Sequence, residues 1–154
     1  MTIVYAATNK IEMLIRGIPV PQGRPRFFVQ RGHIGAKDPE KSKGWKETVR
    51  WQAIEQGAIP LEGPLSLYLR FFLPRPKSLP KKVLDHTKKP DLDNMIKAIK
   101  DALKGICYKD DSQIVRLLAT KEYGEVPGVK ISIRVAGREE LEELLEELKG
   151  GSPE

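Results

Sequence analysis

The stretch KPDLDNMIKAIKDALKGICYKDDSQ, Lys89 to Gln113, holds two pairs of aspartates at the ends of one helical pattern. Pro90 disfavours helical geometry at Lys89, so the chain enters extended. Asp91 is then a natural N-cap. Leu92, Met95, Ile96, Ala98, Ile99, Ala102 and Leu103 recur at helical spacing until Gly105 stops the helix. Asp93, Asn94, Lys97, Lys100, Asp101 and Lys104 fall on the opposite arc. Residues two apart do not face each other inside a helix. Asp91 and Asp93 can therefore converge only if Asp91 sits before the first turn, where the backbone differs. A short loop then carries Asp110 and Asp111, and Ile114 to Tyr123 reads as a strand. That order lets the loop return the second pair alongside the helix. Clustered carboxylates repel unless a cation neutralises them, and magnesium favours one or two carboxylates plus substrate phosphate oxygens. Singly, each aspartate has a plainer role: Asp91 a cap, Asp93 half of an exposed ion pair with Lys97, Asp110 and Asp111 a turn. Their conjunction in one short segment favours chemistry.

The segment KPDLDNMIKAIKDALKGICYKDDSQI resembles the core of the RusA family of Holliday-junction resolvases. In that family a D-x-D-N-x-x-K helix and a downstream D-D pair carry a magnesium-dependent nuclease site. The first pair falls on Asp91 and Asp93, followed by Asn94; the lysine falls on Lys97; the second pair falls on Asp110 and Asp111. RGIPVPQGRPRF resembles the start of many members, and the matches span most of residues 16 to 135. The acidic end from Arg138 lies outside the pattern. The resemblance implies Mg2+, with Mn2+ as a substitute, held by Asp91, Asp93 and Asp111, with Asp110 a ligand or a neighbour of one. Lys97 would orient a water or support the transition state, and Asn94 would position Asp93 or the backbone. The implied substrate is the four-way DNA junction of recombination and repair, cut by a homodimer whose two-fold symmetry presents two sites to opposed strands.

Charge points the same way. The chain carries a net +6, but the region from Arg138 onward has two basic residues and seven glutamates, which leaves +11 on residues 1 to 137. A body so basic suggests a polyanionic partner. Arg24 and Arg26 flank Pro25, and Arg31-Gly32 sits between two extended pieces, so a hairpin would project arginines suited to bidentate phosphate contacts. Pro74 to Lys89 lacks hydrophobic periodicity and holds Arg75, Lys77, Lys81, Lys82, Lys88 and Lys89, an exposed and mobile basic segment leading into Asp91.

The remaining pattern gives the fold. A lead-in covers residues 1 to 10, and Ile11 to Ile18 reads as a strand. A helix opens at Asp38 or Ser42 and runs to about Gln56, burying Trp45, Val49 and Ala53 and leaving Lys41, Lys43, Lys46 and Arg50 on a basic face. Leu65 to Leu73 is a strand whose aromatics serve the core rather than base stacking. Val129, Ile131, Ile133 and Val135 alternate with Lys130, Ser132 and Arg134; this strand is expected to form an antiparallel hairpin with Ile114 to Tyr123. Leucines at 141, 144, 145 and 148 mark an amphipathic C-terminal helix that packs back on the sheet or joins a partner chain. The expected fold is α+β in one domain: a mixed, mainly antiparallel sheet with two internal helices packed on it and a C-terminal amphipathic helix. No run approaches membrane-spanning length and no signal peptide is visible, so a cytoplasmic protein is expected. A single cysteine and two distant histidines argue against disulfides and zinc. Two other functions fit these features: a metal nuclease acting on flaps or forks, and a non-catalytic basic DNA-binding protein whose carboxylates are structural.

Overall fold

The computed structural model describes residues 9 to 150 apart from Pro25 and Asp38. Strand β1 (Lys10–Arg16) is followed by a hairpin of β2 (Arg26–Gln30) and β3 (His33–Lys37). Helix α1 (Glu40–Glu55) leads to β4 (Leu65–Pro74) and helix α2 (Leu92–Leu103). Strands β5 (Ile114–Gly124) and β6 (Gly128–Val135) precede helix α3 (Arg138–Gly150). The lead-in lies largely outside the described residues.

Four strands form one sheet in the order β1-β6-β4-β5, and β2 and β3 form a separate two-stranded sheet. The expected α+β architecture is present. One face of the sheet is apolar: Leu65, Leu67, Leu69, Phe71 and Leu73 on β4 meet Val129, Ile131 and Ile133 on β6, and Ile11, Met13 and Ile15 on β1 continue it, all buried. Helix α2 covers this face with Met95, Ala98, Ile99, Ala102 and Leu103, and α1 adds Trp45, Val49 and Ala53.

The expected hairpin of β5 and β6 does not form. β4 lies between them, antiparallel to β6 and parallel to β5. The cause is α2. A parallel pair needs a crossover, and a helix between β4 and β5 supplies one. Residues 125 to 127 then carry the chain past the end of β4 to β6. Gly124 permits this close passage, because a Cβ there would stand 2.9 Å from Phe72 Cβ.

Helix α1 starts at Glu40, with Pro39 before it; of the two expected starts, Asp38 falls outside the described residues and Ser42 lies inside the first turn. Lys46, expected on a solvated face, is 3% exposed and pairs with Asp101 of α2 at 2.7 Å. Arg50 donates to the carbonyls of Ala102 (3.0 Å) and Asp101 (3.2 Å), which stabilises the negative end of α2. These cations fasten the two helices together.

Helix α1 also closes one border of the sheet. The Gln52 amide donates to Arg16 O (2.8 Å) and accepts from Arg16 N (2.9 Å). Gln56 does the same with Leu14, at 3.0 and 3.3 Å. Four helical residues rise about 6 Å and two strand residues about 6.7 Å, so the two spacings match. The glutamines thus stand in for a neighbouring strand along β1.

Candidate active site

Asp91 occupies the N-cap position of α2 with extended backbone (φ −70°, ψ 143°), but its carboxylate makes no capping bond. It turns outward to Lys89, whose Nζ donates to both carboxylate oxygens at 3.0 and 3.1 Å. Asp93 stands exposed in the first turn and Lys97 one turn on; among the described residues they make no ion pair with each other or with anything else. Asn94 accepts a hydrogen bond at its main-chain oxygen from Gln22 N (2.9 Å). That bond docks the arginine-bearing N-terminal loop against the helix entry.

Lys121 of β5 fixes the segment before Asp91. Its Nζ donates to the carbonyls of Lys88 (2.7 Å) and Pro90 (2.8 Å). Lys121 pairs in register with buried Phe71, so it leaves β5 on the helix-bearing side of the sheet. A lysine at a core-facing register is the signal by which sequence could have found it. Leu84 and His86 extend the anchor: Tyr123 N donates to Leu84 O (2.8 Å) and His86 N to Lys121 O (3.4 Å). His86 is 8% exposed, and its ring meets Tyr123 at 4.8 Å. Burial, and then the Lys121 charge, lower its pKa. The segment expected to be mobile is therefore clasped to β5 at its second half.

The second aspartate pair divides its roles. Asp110 caps a short 3-10 turn, Asp111–Gln113, accepting from Ser112 N at 3.3 Å. Gln113 returns the bond by accepting from Asp110 N (3.0 Å) and donates to the carbonyls of Leu61 and Gly63. Asp111 is half-buried, and its Oδ1 is buried without a partner. An unsatisfied buried carboxylate oxygen is costly and is a place for a cation. Beside it, Tyr108 donates to Lys100 O (2.6 Å), and its phenol is pushed up by burial and further by the Asp111 charge.

The pairs do not meet within one chain. Asp111 lies beside Tyr108 and the third turn of α2, while Asp91 precedes the first. Residues 91 to 100 span about 13 Å along a helix. Among the described residues, no three His, Cys, Asp or Glu side chains are grouped closely enough to hold a metal ion. The donor chemistry suits a hard cation: all candidates are carboxylates, and one has an orphaned buried oxygen.

The basic residues fall into several settings. Arg24, Lys88 and the hairpin-turn Arg31 are exposed, as are Lys77, Lys81 and Lys82 in the loop that follows β4. The hairpin is present; Arg31 and Gly32 turn it with φ of 51° and 78°. Arg26 lies in β2. Arg75 is committed internally, lying 5.3 Å from the Tyr123 ring and donating to Pro80 O (2.9 Å). Lys89 serves as counter-ion to Asp91.

Fold and site together define an α+β protein with carboxylates at a helix entry inside a basic surround, the makeup of an enzyme acting on a polyanion. The family model described as endodeoxyribonuclease RusA matches residues 16–134. An uncharacterized protein of Bacillus subtilis (strain 168), YqaN, is 39% identical over 135 residues, covering 80% of this chain and 95% of that protein. This chain belongs to the RusA endodeoxyribonuclease family. Membership implies a Holliday-junction endodeoxyribonuclease.

Proposed function

We propose that this protein is a magnesium-dependent homodimeric resolvase of four-way DNA in recombination and repair, with Asp91, Asp93 and Asp111 as metal ligands. The observation that carries this is the conjunction of a non-capping N-cap carboxylate at Asp91 with an orphaned buried oxygen at Asp111. A carboxylate left out of its structural bond is available for another partner. When bound, a divalent metal supplies an activated water and charge support at the phosphate. Asp91 and Asp93 hold it from the helix entry, and Lys97 brings a cation one turn away for the phosphate oxygens. Asp110, engaged in its cap, fixes the turn that presents Asp111. Arg24, Arg26, Arg31, Lys77, Lys81, Lys82 and Lys88 guide the DNA backbone, and Lys89 neutralises the Asp91 carboxylate that would hold the ion.

The dimer reading has support of its own. β5 is the outer strand of the sheet, with exposed Val115 (58%), Leu117 (46%) and Leu118 (60%). A second copy paired antiparallel along residues 114 to 120 would run its own Asp111 turn toward the Lys121 end, where Pro90 and Asp91 sit. Separation of the carboxylates within one chain is what such sharing would require.

The test is gel-shift affinity in EDTA beside magnesium-dependent cleavage of junction, flap and linear duplex. Asn substitutions at 91, 93 and 111 should abolish cleavage while leaving metal-free junction binding at least as tight as in the parent. Normal cleavage by these variants would make the carboxylates structural and leave a non-catalytic DNA-binding protein; preference for flaps would move the substrate.

A further inference from the structure

Helices α1 and α2 cover one face of the sheet, and among the described residues no helix seals the other: α3 leaves Leu145 and Leu148 exposed. The strand registers order that open face into rows. Lys10, Arg134, Ser66 and Arg116 lie side by side across β1, β6, β4 and β5. The next row is Glu12, Ser132, Tyr68 and Leu118, and the next is Leu14, Lys130, Arg70 and Thr120. Two cationic rows thus flank Tyr68, about 13 Å apart at two residues per row. Arg16 and Phe72 belong to a fourth row, with Glu122.

The arginines are held in place. Arg134 lies 5.6 Å from the centre of Tyr68 and Arg70 5.1 Å from that of Phe72. Arg116 donates to Gly137 O at 2.9 Å. Both carboxylates of the face are already paired, Glu12 with Lys10 (2.7 Å) and Arg134 (3.8 Å), Glu122 with Arg70. The six cations outnumber these two acids, leaving a net +4 on this face, with Arg16, Arg70, Lys130 and Arg134 exposed and Lys10 and Arg116 half-buried. Core packing does not require that excess.

We propose that the open face of the sheet is a second nucleic-acid surface, gripping the phosphate backbone of a DNA arm other than the one being cut. This rests on the endonuclease reading and adds to it. The helix entry lies on the far side of the sheet from these rows, so one phosphodiester cannot meet both. Guanidinium groups braced on rings suit bidentate phosphate contacts, and the rings themselves, already covered, are not base-stacking platforms.

The experiment measures junction and linear-duplex affinity in EDTA over a salt series. The proteins are the full chain, the triple variant R70A/K130A/R134A, the charge-keeping R70K/R134K, and K130Q. Lys130 makes no ion pair among the described residues, so K130Q should not disturb folding. Removing one cation that pairs with a phosphate lowers the slope of log affinity against log salt by about 0.9. The triple variant should lose about 2 to 3 units of junction slope, K130Q about 1, and R70K/R134K less than 1. Junction binding should fall more than linear-duplex binding. Parent-like slope and junction affinity in K130Q and the folded triple variant would overturn the proposal. A changed oligomer with unchanged DNA binding would also overturn it, assigning the face to a protein partner. No salt-dependent DNA binding by the parent protein would remove the endonuclease reading itself.

Discussion

Asp110 and Asp111 are adjacent and chemically identical, yet their surroundings separate them. Asp110→Asn should keep cleavage within a few-fold, because an amide oxygen can still accept from Ser112 N. Asp111→Asn should lose at least about 100-fold, the scale of one lost transition-state donor. Single-turnover rates on a junction decide this; equal losses would put both in one role. Lys97→Ala should lose a similar factor while binding in EDTA stays unchanged or weakens slightly. Lys121 acts on the site through the main chain. Lys121→Met removes two charge-assisted bonds, with an expected loss of about 2 kcal/mol, and loosens the segment before Asp91. More magnesium should then be needed for half-maximal rate, and Lys121→Arg should recover part of it. A magnesium titration beside thermal denaturation checks both; an unchanged requirement would make Lys121 merely structural. Cys107 is buried, and burial pushes its thiol up to about 12, so thiol reagents should leave it unmodified at neutral pH.

At the scale of elements, the clasp of residues 84 to 86 on β5 should respond to acid. His86 is neutral in place because burial lowers its pKa below the ordinary 6.5. Once the segment opens, the ring regains the ordinary value. The open form therefore binds the extra proton below about pH 6.5. The stabilisation is complete above that pH and falls away as pH drops toward the lowered folded value. Amide exchange at His86 and Tyr123, corrected for intrinsic rate, should quicken across this window; a flat profile would mean the clasp does not depend on a neutral ring. Helix α3 is a contrasting case, with Leu145 45% and Leu148 78% exposed. A chain ending after Arg138 should keep its cleavage while losing some stability or changing its oligomer, as sedimentation and melting would report. Helix α2 is legible in sequence because its period and flanking Pro90 and Gly105 are local. The clasp is not, because only the placement of β5 gives residues 84 to 86 an edge to join.

The whole molecule shows where sequence information stops. Alternation places β4 and β6, and helical spacing places α1 and α2, because each pattern lies in consecutive residues. The partner of β5 is different: proximity in sequence suggests β6, whereas α2 makes a parallel crossover to β4 available. Asp91, Asp93, Lys97 and the two loop aspartates are all visible as a motif. Their separation within one chain is not, since it depends on how far α2 carries the two ends apart. Burial of Lys46 is equally hidden, because nothing near it in sequence announces Asp101. The +11 body predicts a salt response at this scale. At least about four phosphate contacts should give a slope near −3.6 or steeper, and a nearly flat dependence in EDTA would contradict a DNA-binding body.

The glutamine amides along β1 have a consequence for counting. A sheet with two bare borders can add copies at both and grow without limit, as fibrils do. Here Gln52 and Gln56 take up the outward N–H and C=O groups of Leu14 and Arg16 inside the chain, so that stretch of the β1 border is closed to a second copy and β5 is the more open one. If two copies join along β5 as proposed, the pair would keep little open border to offer, and addition should terminate there. Removing the amides with Q52A/Q56A would open the β1 border as well, and light scattering would then record open-ended growth where the parent protein stops.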